Sequence, residues 1–147
     1  MKNTKQCANI SFVTERYQKG TSDRSEFCVN GSFYSKDGIY YVTYKEDLGT
    51  GLGETNVFLK ISQNSVYMRR MGDFKTVINY QEGKITDTVY KTPFGKMDIK
   101  IGTSKIINKI SEKGGTLKIL YTLFTGGEDI KNEITLCVKL RSEKNED

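Results

Sequence analysis

The stretch Val66-Tyr67-Met68-Arg69-Arg70-Met71-Gly72 places a guanidinium in the phase of a hydrophobic strand. Side chains alternate across a strand, so Val66, Met68 and Arg70 share one face, while Arg69 points to the opposite, solvent side. A guanidinium at a core-facing position is tolerable only when paired and hydrogen-bonded. The same phase argument supplies partners. In Ile39–Glu46 the residues Tyr40, Val42, Tyr44 and Glu46 share a face, so a carboxylate and a phenol turn inward together. Glu46 and the hydroxyls of Tyr44, Thr55 and Tyr90 are therefore the candidate acceptors for Arg70. Such a group has three possible uses. It can be a polar pair that closes one end of the core and fixes strand register, or an anchor for an anionic ligand. It can also be a general base (Glu46) beside an electrostatic stabiliser (Arg70). Nothing beyond the pairing recommends the last, so no catalytic residue is assigned.

Other chemistry is removed by composition. The chain has no histidine, which excludes Ser-His and Cys-His nucleophilic dyads and histidine-based zinc sites. Cys7, Cys28 and Cys137 lie far apart without a CxxC pair, and a chain of this length folds without staples. Three reduced thiols in a reducing cytoplasm, with no metal and no cofactor, are expected. The segment Asp47–Glu54 carries Gly49, Gly51 and Gly53. It lacks the Lys-Ser/Thr and the strand-to-helix context of a phosphate-binding loop, and reads as a flexible loop at a barrel mouth.

The elements that must position these residues have period two. Met97, Ile99 and Ile101 alternate with Lys96, Asp98 and Lys100; Ile134, Leu136, Val138 and Leu140 share a face, as do Thr55, Val57, Leu59 and Ile61, and Phe74, Thr76, Ile78 and Tyr80. Short connectors with hairpin chemistry separate the strands: Ser35-Lys36-Asp37-Gly38, Gln81-Glu82-Gly83, Lys113-Gly114-Gly115 and Gly126-Gly127-Glu128. Consecutive antiparallel strands with one apolar face each must curl to cover that face, and closure removes the edges. The prediction is an all-β, antiparallel up-and-down barrel of roughly eight to ten strands, forming a single domain over residues 1–147 with a frayed tail at 141–147. One segment, Thr103–Gly114, fits either a helical stripe through Ile106, Ile107 and Ile110 or a bent strand. The strand is preferred because no C-terminal cap precedes the glycine pair.

The chain of 147 residues has a net charge of +5 and a pI near 9.0, nine Tyr, seven Phe and 14 Gly against one Pro. Lys and Arg are scattered along it, with Arg69-Arg70 the longest basic run. Scattered lysines on outer strand faces serve solubility and block edge pairing, which argues against a nucleic-acid footprint. The N-terminal residues lack the apolar stretch of a signal peptide, and no segment has the apolar length of a membrane-spanning helix. A cytoplasmic location without membrane contact is expected.

Gly31-Ser32-Phe33-Tyr34 followed by a hairpin and Tyr41–Glu46, then Val66–Gly72, then Tyr90–Ile106, resemble the YwiB-like bacterial family in order and spacing. The resemblance covers roughly Gly31 onward. It implies a closed lipocalin-like (calycin) barrel in a cytoplasmic bacterial protein, a domain of unknown function with no established activity. The family's arginine-x-glycine falls on Arg70-Met71-Gly72, its tyrosine and acidic residue on Tyr44 and Glu46, and its next tyrosine and turn glycine on Tyr90 and Gly95. The chain departs from the family around Gly51, where its loop is longer.

Two non-enzymatic functions follow. The first is a module whose barrel interior takes a small, partly apolar or anionic molecule at Arg70, Glu46, Tyr44, Thr55 and Tyr90, since barrels of this size either fill with side chains or hold one small ligand. The alternative is a protein-interaction or structural domain with a filled barrel and no ligand.

Overall fold

The computed structural model describes residues 5–47, 54–72, 75–92 and 95–141. The loop with Gly49, Gly51 and Gly53, together with Phe74 and the tail residues 142–147, lies outside the described residues. Ten strands follow one another in sequence: β1 (Gln6–Gln18), β2 (Thr21–Lys36), β3 (Ile39–Asp47), β4 (Glu54–Ile61), β5 (Ser65–Met71), β6 (Lys75–Gln81), β7 (Lys84–Thr92), β8 (Gly95–Ser111), β9 (Gly114–Phe124) and β10 (Asp129–Leu140). Each pairs antiparallel with its sequence neighbours, and β1 pairs with β10, so the sheet closes on itself. The predicted barrel is observed, at the upper end of the predicted strand count.

Alternation decides which side chains point inward. Ile10 and Phe12 of β1, Val42 of β3, Leu59 and Ile61 of β4, Val66 and Met68 of β5, Ile101 of β8, Leu117 and Ile119 of β9, and Leu136 and Val138 of β10 form one buried cluster. Two-residue turns at Lys19-Gly20 and Asp37-Gly38 have positive φ at both positions, as hairpins that match the strand twist require. Gly31 is needed for a different reason. A Cβ there would lie 2.4 Å from the Thr43 carbonyl oxygen and 2.6 Å from Ile10 Cδ1.

The ambiguous segment is strand. It forms the second half of β8, which pairs with β7 through Gly95–Thr103 and with β9 through Lys100–Ser111, and its register shifts between Thr103 and Lys105. That bulge lets one strand turn a corner of the barrel and gives Ile106 and Ile110 the inward phase that resembled a helical stripe.

One seam departs from the pattern. Between β6 and β7 the ladder is registered only at Lys75↔Lys91 and Thr76↔Tyr90, whereas every other neighbouring pair runs over at least six positions. Their connecting turn is held by other elements: the Glu82 amide donates to Asn64 O and the Gly83 amide to Thr103 O. Along the seam threonine hydroxyls stand in for backbone donors. Thr88 donates to Val77 O, Thr86 to Asn79 O at 2.6 Å and Thr76 to Val89 O at 3.3 Å.

Candidate functional site

Register assembles the inward polar residues from five strands, β3 to β7. Gly31, Tyr44, Val57, Arg70, Thr76, Tyr90 and Met97 form a continuous row across the inner face of β2 to β8, each opposite the next. Glu46 and Thr55 face each other one step further toward the β3–β4 connection. Arg70 therefore reaches across β4, with Val57 beneath it, to meet Glu46 on β3. Its Nε donates to Glu46 Oε1 at 3.2 Å and its Nη2 to Oε2 at 3.5 Å. The guanidinium offers one edge to the carboxylate. Among the described residues, its remaining N–H groups have no hydrogen-bond partner.

The Glu46 side chain is 8% exposed and that of Arg70 25% exposed, so water reaches the pair from the arginine side only. Burial pulls the Arg70 pKa down, but the Glu46 carboxylate, together with the Tyr44 and Tyr80 phenols, offsets it and the net shift is upward.

The other predicted members are placed as follows. Tyr44 packs its ring against Phe12 and Phe27, at centroid distances of 5.4 and 6.1 Å, and its hydroxyl is buried without a hydrogen-bond partner. It does not bond the guanidinium. Burial, and then the nearby Glu46 carboxylate, push its phenol far above the ordinary tyrosine range. Thr55 is buried beside Glu46 and Tyr90 stands opposite Thr76 in the row. Two further phenols complete the polar layer: Tyr80 on β6 meets Tyr121 on β9 edge to face, with ring centroids 5.0 Å apart. Both phenol pKa values are raised, chiefly by burial. Tyr80 shares the inward phase of Thr76 and Ile78, but nothing local indicates that it meets a strand three places away.

A cleft of about 970 Å³ lies over the weak seam. Its lining includes Val77 and Val89 on the outer faces of β6 and β7, Met71 and Phe124, the lysines Lys75, Lys91 and Lys100, and the carboxylates Asp87 and Asp98. Through the seam it touches the inner-face residues Arg70, Thr76, Thr88 and Ile99. Of the five site residues inferred from the sequence, Arg70 alone lines this cleft. The pattern that could have marked the seam is Thr86 and Thr88 on the inward phase of β7, where its neighbours carry aliphatic residues.

Comparison with known proteins follows the same lines. The model of a family described as a domain of unknown function, DUF1934, matches residues 10–136. The uncharacterized beta-barrel protein YwiB of Bacillus subtilis (strain 168) is 29% identical over 109 residues, covering 74% of this chain and 75% of that protein. The crystal structure of the ywiB protein from Bacillus subtilis matches with a TM-score of 0.85 over 94% of each chain, at 23% sequence identity. That likeness shows the common fold.

Proposed function

The chain belongs to the DUF1934 family of unknown function, and we propose that its barrel is a non-catalytic binding module for a small, partly apolar anion. One observation carries this reading: Arg70 has one edge held by Glu46 and its exposed quarter turned toward a cleft of about 970 Å³. A guanidinium held by a buried carboxylate is preorganised, so a ligand carboxylate, sulfonate or phosphate meets a fixed fork. The cleft adds Val77, Val89, Met71 and Phe124 for an apolar body, and Lys75 and Lys91 for further negative charge; of its two carboxylates, Asp87 is paired with Lys100, and Asp98 opposes an anion placed near it. Tyr44, Glu46 and Thr55 are too deeply buried to touch such a ligand, and of the three Glu46 holds Arg70.

The consecutive strand order supports a lipocalin-like, calycin description of the barrel. Lysines on the outer faces and an apolar interior are the reverse of a lipid-facing barrel and support the expectation of no membrane contact. Register supports reduced thiols: Cys28 and Cys137 both flank Ser11, so their Cα atoms stand two strand spacings apart, roughly 9–10 Å, beyond disulfide reach.

The test has two arms. Native mass spectrometry of the freshly purified protein should show a bound small molecule. Titration with 1-anilinonaphthalene-8-sulfonate, an amphipathic anion, should be saturable and weakened about tenfold or more in Arg70→Gln, since a charge-assisted contact of this kind amounts to about 1.5 kcal/mol or more. A protein free of small molecules, with no saturable probe binding, overturns the proposal in favour of a filled structural barrel.

A further inference from the structure

The outer face of β2 to β5 carries a feature that the cleft does not use. Tyr34 and Tyr41 stack with ring centroids 4.6 Å apart, Tyr41 approaches Phe58 at 6.0 Å, and Phe58 meets Tyr67 edge-on at 6.4 Å. The Arg69 guanidinium lies over Phe58, 5.3 Å from its centroid. Register interleaves the rings with cations. Tyr34, Tyr41, Lys60 and Tyr67 form one row across the four strands, and Phe58 and Arg69 face each other in the next. Residues separated by up to 35 positions in the chain become one continuous strip.

The charge on this face is one-sided. Among its described side chains, from Asn30 to Lys36, Ile39 to Lys45, Asn56 to Lys60 and Ser65 to Met71, none is acidic, while Lys36, Lys45, Lys60 and Arg69 are exposed. Among the described residues Lys36, Lys60 and Arg69 have no salt-bridge partner. The opposite wall differs: Lys118 pairs with Glu133 at 3.3 Å and Lys100 with Asp87 at 2.7 Å. Two open depressions, of about 670 and 530 Å³, flank Phe58 and Arg69, and Asn30, Ser32, Thr43 and Asn56 offer uncharged hydrogen-bonding groups in the first of them.

We propose that this face binds single-stranded nucleic acid. Cross-strand aromatic pairs by themselves only stabilise a sheet. Here they coincide with Lys36, Lys60 and Arg69, which have no salt-bridge partner among the described residues, and with no acidic group among the described side chains of the face, the combination that lets bases stack on rings while phosphates meet Lys and Arg. A duplex keeps its bases stacked on one another and has no use for the rings, so the strand must be single. A protein partner recognised by charge alone would not need the rings either. The scatter of Lys and Arg along the chain hid this, because only sheet register gathers Lys60 and Arg69 beside Tyr41, Phe58 and Tyr67.

The proposal is tested by fluorescence anisotropy with dye-labelled oligo-dT and oligo-U of about 15 nucleotides. Saturable binding is expected, tighter than to a duplex of equal length and weakening with salt. Phe58→Leu and Tyr67→Leu, which keep an apolar side chain on the sheet, should each weaken binding by about fivefold or more. Lys60→Gln and Arg69→Gln should lower the slope of log K against log salt by about 0.7 for each phosphate that is no longer neutralised. Lys118→Gln on the opposite wall is the control and should change little. Circular dichroism of each variant checks that the barrel is intact. Absence of binding at about 50 mM salt overturns the proposal. So does binding by intact variants that ignores the rings, or that Lys118→Gln weakens as much as Lys60→Gln, or that duplex or heparin competes for equally well.

Discussion

Substituting Arg70 by methionine removes the charge and keeps much of the side-chain volume, so it isolates what the ion pair contributes. The pair meets edge-on at 3.2 and 3.5 Å, and its carboxylate is 8% exposed. Breaking a fully buried pair costs about 3–5 kcal/mol and an exposed one no more than about 1 kcal/mol. Water reaches the 25% exposed Arg70 but hardly reaches Glu46, so Arg70→Met is expected at the low end of the buried range, about 3 kcal/mol. Glu46→Gln should cost less, about 1–1.5 kcal/mol, because the amide still accepts a hydrogen bond and the guanidinium keeps its route to water. The double variant has no stranded charge and should cost about 2–2.5 kcal/mol, leaving a coupling energy of about 2 kcal/mol. Urea unfolding followed by far-ultraviolet circular dichroism measures all four corners of the cycle, provided that the denaturant slopes agree. At this chain length Arg70→Met alone should lower Tm by about 9 °C. A coupling energy below about 0.5 kcal/mol refutes the reasoning, since that is the additivity expected of residues that do not meet.

Two further outcomes follow from the seam and the buried phenols. Thr88→Val keeps the shape of the side chain but leaves the Val77 carbonyl without its hydroxyl donor, and should cost about 1–2 kcal/mol; hydrogen exchange should be faster along Val77–Tyr80 and Thr86–Val89 than along β9 and β10 even before substitution, and equal protection would contradict the broken ladder. Tyr44, Tyr80 and Tyr121 all have folded-state pKa values above the ordinary one, so the unfolded chain releases their protons first as pH rises. Their contribution to stability is complete below about pH 10 and is lost progressively above it, up to and through the folded-state values. The urea midpoint should therefore fall between about pH 9 and pH 11, with phenolate absorbance for three of the nine tyrosines appearing only on unfolding. A flat midpoint would refute it.

What could be read from the sequence is what depends on local alternation. Arg70 turns inward because Val66 and Met68 do, and Glu46 because Val42 and Tyr44 do, so the pair follows from two short stretches without knowledge of the barrel. Strand order followed from the turns, since Asp37-Gly38 and its counterparts leave room for little except an adjacent antiparallel return. Contacts across the lumen were not legible. Tyr80 and Tyr121 belong to strands that are not neighbours, and their meeting depends on barrel closure. The outer aromatic strip was illegible for a related reason. Each ring looks like an ordinary half-exposed strand residue until register sets four strands side by side.

The packing of the interior bears on why the proposed ligand is assigned to the wall and not to the lumen. A small barrel can hold a ligand inside only where its inward residues leave space. Here the Tyr80–Tyr121 contact crosses the interior, the Arg70–Glu46 pair spans β3 to β5, and Phe12 and Tyr44 pack together at the end nearer Glu46. A cleft lies instead over the seam, where the Glu82 and Gly83 amides donate to Asn64 and Thr103 and the β6–β7 ladder is short. Backbone carbonyls along this short ladder need donors, and threonine supplies them from the inner face while its methyl group maintains packing. Valine at Thr86 and Thr88 would fill the same volume but leave those carbonyls unpaired; continuous pairing would satisfy them but close the cleft. Threonine at those positions is the arrangement that keeps the cleft open over Arg70 with its carbonyls hydrogen-bonded.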